Sequence, residues 1–196
     1  MRLRDNFLSA VLLLLLLMSS LCCHPKNQSH TAVNSNAQSQ DQPKSVLSIE
    51  VGLVYKSGDA KPVARNEFYL LDEDAEQILR DGKVEKKGKL KKHDLRLLDT
   101  YALATLCVSS RDRCASLKDS LIYLQDSELA LKPHIIQRVI TGFDGKAKSE
   151  PMAMGNYYLM GVYVRERGYV IWNLKVELKS ETQNIILDQN NANLAL

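Results

Sequence analysis

The sequence predicts a mainly β protein: an antiparallel β-sandwich of about seven short strands, with an α-helical insertion over about residues 72–132. Three observations predict it. Apolar residues alternate from Leu47 to Tyr55, the period of a half-buried strand. The period then changes to three and four residues between Asp72 and Leu124. After Pro133 the strand pattern returns, in runs rich in β-branched and aromatic residues separated by tight-turn signals.

The first 23 residues stand apart as an address. Arg2 and Arg4 form a basic start, an apolar stretch is densest from Val11 to Met18, and Ser19 and Ser20 close it. The stretch is short for a ~30 Å bilayer core and suits the core of a secretory signal. Cleavage by an ordinary signal peptidase after Ser20-Leu21-Cys22 is one reading. The other is a lipoprotein with Cys22 or Cys23 as the lipidated residue. Residues 24–45 follow as a polar tether, half of them Asn, Gln or Ser, with too little apolar surface to offset ordering entropy.

The domain is expected from Val46 to Asn191. In its first strand Leu47, Ile49, Val51, Leu53 and Tyr55 share one face, and Ser57-Gly58-Asp59 marks a turn. A second strand covers Glu67–Leu71, with Phe68 and Leu70 on one face. Asp72 then caps a helix whose first turn carries Glu73, Asp74 and Glu76, the signs a helix dipole favours there. That helix ends near Arg80, before Gly82.

A basic run holds Lys83, Lys86, Lys87, Lys89, Lys91 and Lys92, and reads as a solvated loop because no aromatic residue interleaves with it. A second helix covers Asp94–Ser109, with Leu95, Leu98, Ala102 and Leu106 in phase. A third covers Arg113–Leu124, with Leu117, Leu121 and Leu124 in phase. Strands follow at Ile135–Thr141, Asn156–Val164, Tyr169–Leu178 and Gln183–Leu187. Asp144-Gly145 is a tight turn and Arg165-Glu166-Arg167-Gly168 a hairpin tip. Trp172, Leu174, Val176 and Leu178 share one face, and residues 192–196 are expected to fray.

Composition narrows the function classes. The 196 residues include 26 Lys or Arg and 23 Asp or Glu, for a formal net charge of +3, with 45% hydrophobic and 25% charged residues. That balance excludes collagen-like, multi-span membrane and fully disordered chains. The charge is too small for a nucleic-acid footprint. Cys107 and Cys114 are the two cysteines of the domain, and in an exported chain they are expected to pair as a disulfide. Neither His93 nor His134 has metal-ligand spacing to that pair, so no metal and no cofactor are implied. No G-x-S-x-G elbow, H-E-x-x-H helix or Gly-rich phosphate loop appears. A Cys–His enzyme could be assembled only from Cys107 or Cys114 with His93 or His134, and a disulfide would remove its nucleophile.

Thr141-Gly142-Phe143-Asp144-Gly145-Lys146-Ala147, Pro151 and Gly155-Asn156-Tyr157-Tyr158-Leu159-Met160-Gly161-Val162 together resemble the transthyretin-like, carboxypeptidase-regulatory-like β-sandwich. In that class a Thr-x-x-x-Gly turn precedes a strand, and a Gly-x-Tyr-x-Leu strand follows a Pro-containing loop. Val51-Gly52-Leu53-Val54-Tyr55 and Lys61-Pro62-Val63-Ala64 resemble its first strand and the loop before strand two, and the closing Val170–Leu174 and Ile186–Ala192 segments are similar to secreted bacterial members. The resemblance covers about 46–72 and 134–192; the helical block departs from the minimal module. It implies an Ig-like, prealbumin-type sandwich and an accessory, non-catalytic role. A related hydrolase ends in Tyr-Arg-Gly-Ser, whereas this chain ends in Asn193-Leu194-Ala195-Leu196, so its activity is not carried over.

The expected function is an exported, non-enzymatic module of the cell envelope, periplasmic, extracellular or lipid-anchored. Its expected partner is an envelope protein or polysaccharide, with membrane contact only through a lipid anchor. Three alternatives stay open: a carbohydrate-binding domain of starch-binding-like fold, a surface adhesion module, and a thiol-dependent enzyme. For a sugar site the candidate face is Tyr157, Tyr163 and Tyr169, with Tyr169 the candidate for exposure near the hairpin tip.

Overall fold

In the computed structural model, residues 43–195 are described, apart from 56, 57, 111–113, 115, 166 and 167. The signal segment, most of the tether, the candidate lipidation residues Cys22 and Cys23, and parts of the 57–59 and 165–168 turns lie outside the described residues. In chain order the strands are β1 (Lys44–Val54), β2 (Ala60–Pro62), β3 (Glu67–Leu71), β4 (Ile135–Ile140), β5 (Lys146–Lys148), β6 (Met152–Ala153), β7 (Gly155–Arg165), β8 (Gly168–Leu178), β9 (Thr182–Leu187) and β10 (Leu194–Ala195). Between β3 and β4 come α1 (Ala75–Asp81), α2 (Leu97–Ser109) and α3 (Leu117–Leu131).

Alternation along β1 decides its place. Leu47, Ile49, Val51 and Leu53 are each 1% exposed, so the strand presents a continuous apolar row to the core. One sheet is organised on this strand: β2, β5 and β6 pair antiparallel with successive stretches of it. β9 pairs with it in parallel, Val46 with Thr182 through Val51 with Leu187. The second sheet is antiparallel throughout, in the order β10-β8-β7-β3-β4. The molecule is thus a β-sandwich with helices added, and the parallel β1–β9 pair is a variation on the expected antiparallel pattern.

The two sheets enclose one core, built from the β1 row, Phe68 and Leu70 of β3, Leu159 of β7, and Val170, Trp172, Val176 and Leu178 of β8. Phe68 and Trp172 rings stand 5.7 Å apart in a tilted pair, and the Trp172 indole N–H donates to the Asp188 carbonyl at 2.9 Å. A second core lies between the other face of the second sheet and the helices, with Leu71, Met160, Tyr169 and Ile171 facing Ile78, Leu79, Leu98, Ala102 and Tyr123. Strands β3, β7 and β8 therefore bury both faces. That is why Gly168–Trp172 is buried without alternation.

Thr141 ties the sheets at one end. Its hydroxyl donates to the Val63 carbonyl at 2.7 Å and accepts the Asn66 amide at 2.9 Å. Gly145 beside it has φ 74°, and a Cβ there would lie 2.4 Å from the Val51 carbonyl oxygen. The turn closes on β1 only with glycine at this position.

Several expectations are corrected. The helix cap is Asp74, not Asp72: Asp74 accepts the Gln77 amide at 3.1 Å, while Asp72 meets His134 Nδ1 at 2.8 Å. β1 begins at Lys44, inside the expected tether, and Ser45 is buried. The tail does not simply fray, because Leu194–Ala195 pairs with β8. Leu117 and Leu121 are exposed; Ser120, Tyr123, Ser127 and Leu131 form the buried stripe of α3 instead. Small serines let α3 lie close to its neighbours, which a count of leucines could not reveal. The Lys-rich run contains a 3-10 turn, Gly88–Lys92, anchored by buried Leu90. Lys87 reaches Asp126 at 2.7 Å, and Lys86 donates to the carbonyls of His93 and Leu95, so part of the expected solvated loop is tied down.

Candidate functional site

The expected tyrosine face does not assemble. Tyr157 and Tyr163 are partly buried against the inter-sheet core, and the Tyr157 hydroxyl donates to the Ala153 carbonyl at 2.9 Å. Burial and then neighbouring Tyr55 push the Tyr163 phenol up. Tyr169 is 2% exposed and packs in the helix-side core, opposite in direction to the other two. The insertion supplies the reason: it covers the face on which Tyr169 was expected to meet solvent.

The same covering creates a cleft of about 150 Å³ elsewhere, where α2 crosses the second sheet. Its lining is Asn66, Glu67, Tyr69, Tyr101, Thr105, Met160, Gly161 and Val162. Strand alternation explains the sheet's share. With Phe68 and Leu70 turned to the inter-sheet core, Glu67 and Tyr69 must turn to the helix side. Register then sets Arg138 of β4 on one side of Tyr69 and Met160 of β7 on the other.

These groups form a polar network. The Tyr69 hydroxyl donates to Glu67 Oε2 at 2.5 Å, and Arg138 Nε meets Glu67 Oε1 at 3.0 Å. The Arg138 guanidinium also lies 5.2 Å from the centre of the Tyr69 ring. Burial first, and then the hydrogen bond to Glu67, holds the Tyr69 phenol far above its ordinary range. Tyr69 is therefore a neutral donor at any physiological pH. Across the cleft, burial pushes Tyr101 up to about 12, helped by the Glu128 and Glu67 carboxylates and opposed by Arg138.

The helix is held firmly against the sheet. Glu76 of α1 accepts the Leu97 and Leu98 amides at 3.1 and 2.8 Å, and the Tyr123 hydroxyl donates to the Leu97 carbonyl at 2.7 Å. Asp74 accepts from the Asn173 side-chain amide at 2.7 Å, fastening α1 to β8. Near the other end of α2, Cys107 and Cys114 form the expected disulfide, with Cα atoms 4.4 Å apart. Neither sulfur is then free to act as the nucleophile of a thiol enzyme.

What the cleft can do follows from what is left unpaired. Thr105 spends its hydroxyl proton on the Tyr101 carbonyl, and the Asn66 side-chain amide donates to the Glu67 carbonyl. Among the described residues the Tyr101 hydroxyl and the Asn66 Oδ1 have no partner, which leaves an open donor and an open acceptor beside a Glu–Arg pair and two aromatic rings. The volume is below the roughly 300–1,000 Å³ of pockets that engulf a drug-sized ligand. The cleft therefore suits one ring or the edge of a longer molecule. Among the described residues no three His, Cys, Asp or Glu side chains come together as a metal-ligand set. Sequence reading missed this site because Glu67 and Tyr69 lie on the strand face that a two-layer sandwich gives to solvent. Their spacing, two residues apart on one strand, was the one local signal.

Comparison with protein-family models finds no match. Comparison with curated proteins finds no significant match either. Among solved structures the chain is similar to a candidate carbohydrate binding protein from Pseudomonas aeruginosa, at 12% identity over 78% of this chain and 92% of that one, with a TM-score of 0.38. It is also similar to the pilus backbone protein of Streptococcus pneumoniae, at 10% identity over 72% of this chain and 40% of that one, TM-score 0.26. A full-length major pilin of the same organism matches at 10% identity over 73% and 30%, TM-score 0.28. The chain spans less than half the length of either pilin structure, and likenesses this distant decide nothing about its role.

Proposed function

We propose that this chain is an exported, non-enzymatic β-sandwich module of the cell envelope that binds carbohydrate in the cleft between α2 and the second sheet. The observation that carries the reading is the cleft itself. The open Tyr101 hydroxyl and Asn66 Oδ1, beside the Glu67–Arg138 pair and the Tyr69 ring, match the needs of a polyhydroxylated ring. Aromatic rings take its apolar C–H face, and a carboxylate with fixed donors takes its hydroxyls. The small volume fits a single sugar unit of a chain that continues into solvent.

Export is supported by the signal-like character of residues 1–23 and by a disulfide, which persists in oxidising compartments. A lipid anchor at Cys22 or Cys23 belongs to the same proposal. So does the transthyretin-like affiliation, supported by the Thr141–Gly145 turn that joins the sheets. Intact mass of the protein from membrane and soluble cell fractions tests the anchor: acyl mass on a chain starting at Cys22 or Cys23 supports it, and an unmodified chain overturns it.

Binding is tested by calorimetry with soluble maltooligosaccharides and N-acetylglucosamine oligomers. The expected result is saturable binding to one of these, weakened about tenfold or more by Tyr101→Ala and by Glu67→Gln, with circular dichroism unchanged. Absence of binding to both series, or binding that neither variant weakens, overturns the assignment of a carbohydrate to this cleft.

A further inference from the structure

We propose that the exposed ring of Phe143 is a second sugar-stacking subsite beyond the rim of the cleft, so that the ligand is an oligosaccharide running from the cleft onto this ring. The subsite rests on the carbohydrate reading of the cleft and extends it outward.

Among the described residues Phe143 is the most exposed large apolar side chain, at 72%. Its turn is nevertheless fixed. The Gly142 amide donates to the Lys146 carbonyl at 2.8 Å, and the Lys146 amide donates to Asp144 Oδ1 at 3.1 Å. The Val51 amide donates to the Gly145 carbonyl at 2.9 Å, which ties the turn to β1. A ring on so rigid a mount loses little freedom when a ligand stacks on it.

Arg65 orients the ring. Its guanidinium lies 4.3 Å from the ring centre, within cation–π range. Arg65 has φ 54°, a left-handed conformation that a non-glycine residue holds only where its surroundings impose it. Its amide donates to the Thr141 carbonyl at 2.9 Å, which helps to impose it. Among the described residues no carboxylate pairs with Arg65. The cation covers one face of Phe143, and the exposure of the residue leaves the other face to solvent. An aromatic face takes the C–H face of a sugar, and the unpaired guanidinium offers N–H donors to its hydroxyls.

The strand register connects this ring to the cleft. Arg65 directly precedes Asn66, whose Oδ1 is the open acceptor there. Ile140 pairs with Glu67 across β4 and β3, so the two side chains share the face of the sheet that the cleft occupies. Ile140 is 61% exposed, and Phe143 follows just beyond Thr141. From Glu67 the surface therefore passes over Ile140 to Arg65 and Phe143. The remaining cleft walls come from α2 and β7, which pack against each other, so the open side is the one toward β4. A cleft of about 150 Å³ holds one ring, and further units leave by that side.

Calorimetry with maltooligosaccharides and N-acetylglucosamine oligomers, each from disaccharide to hexasaccharide, tests this on the full-length protein. The expected result is an affinity that rises about tenfold or more with length in the wild type. In Phe143→Ala the short and long oligomers are expected to bind alike, whereas Tyr101→Ala weakens binding at every length. Phe143 is exposed, so the alanine variant keeps its fold, which circular dichroism checks. Phe143→Trp should keep the gain with length, and its indole emission should shift to the blue with the hexasaccharide. Equal affinity for short and long oligomers in the wild type overturns the subsite and leaves the cleft reading standing. So does a gain with length that Phe143→Ala retains. Absence of binding at every length overturns the cleft reading and the subsite together.

Discussion

Glu76 closes a helix to which it does not belong: its Oε2 accepts the backbone amide of Leu98 at 2.8 Å. Oε1 takes the Leu97 amide as well, at 3.1 Å. The residue that should cap α2 locally, Arg96, offers no side-chain bond to these amides. A carboxylate from α1 thus satisfies donors that the sequence around α2 leaves open, and it sits where the helix dipole favours a negative charge.

Removing that carboxylate should therefore loosen α2. Glu76→Ala is expected to cost about 1–2 kcal/mol, the range for loss of a helix cap. Glu76→Gln should cost less, since an amide oxygen still accepts one bond. Urea unfolding of both variants checks the order; equal stability of wild type and Glu76→Ala would falsify the capping role.

Gly161 is expected to tolerate no side chain. A Cβ there would lie 2.3 Å from two carbons of the Phe68 ring, which is itself fully buried against Trp172. The ring cannot retreat, so Gly161→Ala should destabilise by about 1–3 kcal/mol through overpacking. Thermal melts should show a lower midpoint, and a variant as stable as wild type would mean that the ring has room to move.

The disulfide between Cys107 and Cys114 spans a sequence separation of 7. A loop this short restricts the unfolded chain only moderately, and Cys107→Ser/Cys114→Ser should cost about 2 kcal/mol. Hydrogen exchange should quicken most near the C-terminal end of α2. Uniform quickening across both sheets would instead indicate that the bridge supports the whole domain.

Stability should fall in alkali. Tyr101 is pushed up to about 12 from an ordinary value of 10.0, mainly by burial, and Tyr69 and Tyr123 are raised in the same direction for the same first reason. A phenol raised in the folded state stabilises it fully below the unfolded value, and that stability is lost as pH climbs through the folded value. The loss should begin near pH 10 and run to about pH 12. Urea midpoints at stepped pH, followed with phenolate absorbance, check it. Tyr101→Phe should flatten the decline, and an unchanged decline would assign it to other groups.

Much of the architecture is legible from local pattern. The β1 row, the Phe68/Leu70 face and the Trp172–Leu178 face appear as read, because strand alternation is a property of neighbouring residues along the chain. The helices are legible as periods, and the Leu98–Ala102–Leu106 face of α2 is buried as read, but the face of α3 is not. Leu117 and Leu121 look like core by spacing and are exposed, while Ser120 and Ser127 are buried. The cap at Asp74 rather than Asp72 is a shift within one acidic run, resolved by the pull of Asn173 from β8.

By itself, then, the sequence determined which residues alternate, where the period changes, and that Cys107 and Cys114 could meet across a short loop. Only the tertiary structure decided that the insertion lies flat on the second sheet. That single docking buries Tyr169 and turns Glu67, Tyr69 and Tyr101 toward one cleft. The physical reason is range. Alternation and helical period depend on residues a few positions apart, whereas Tyr101 and Tyr69 meet because two separately formed apolar faces bury each other.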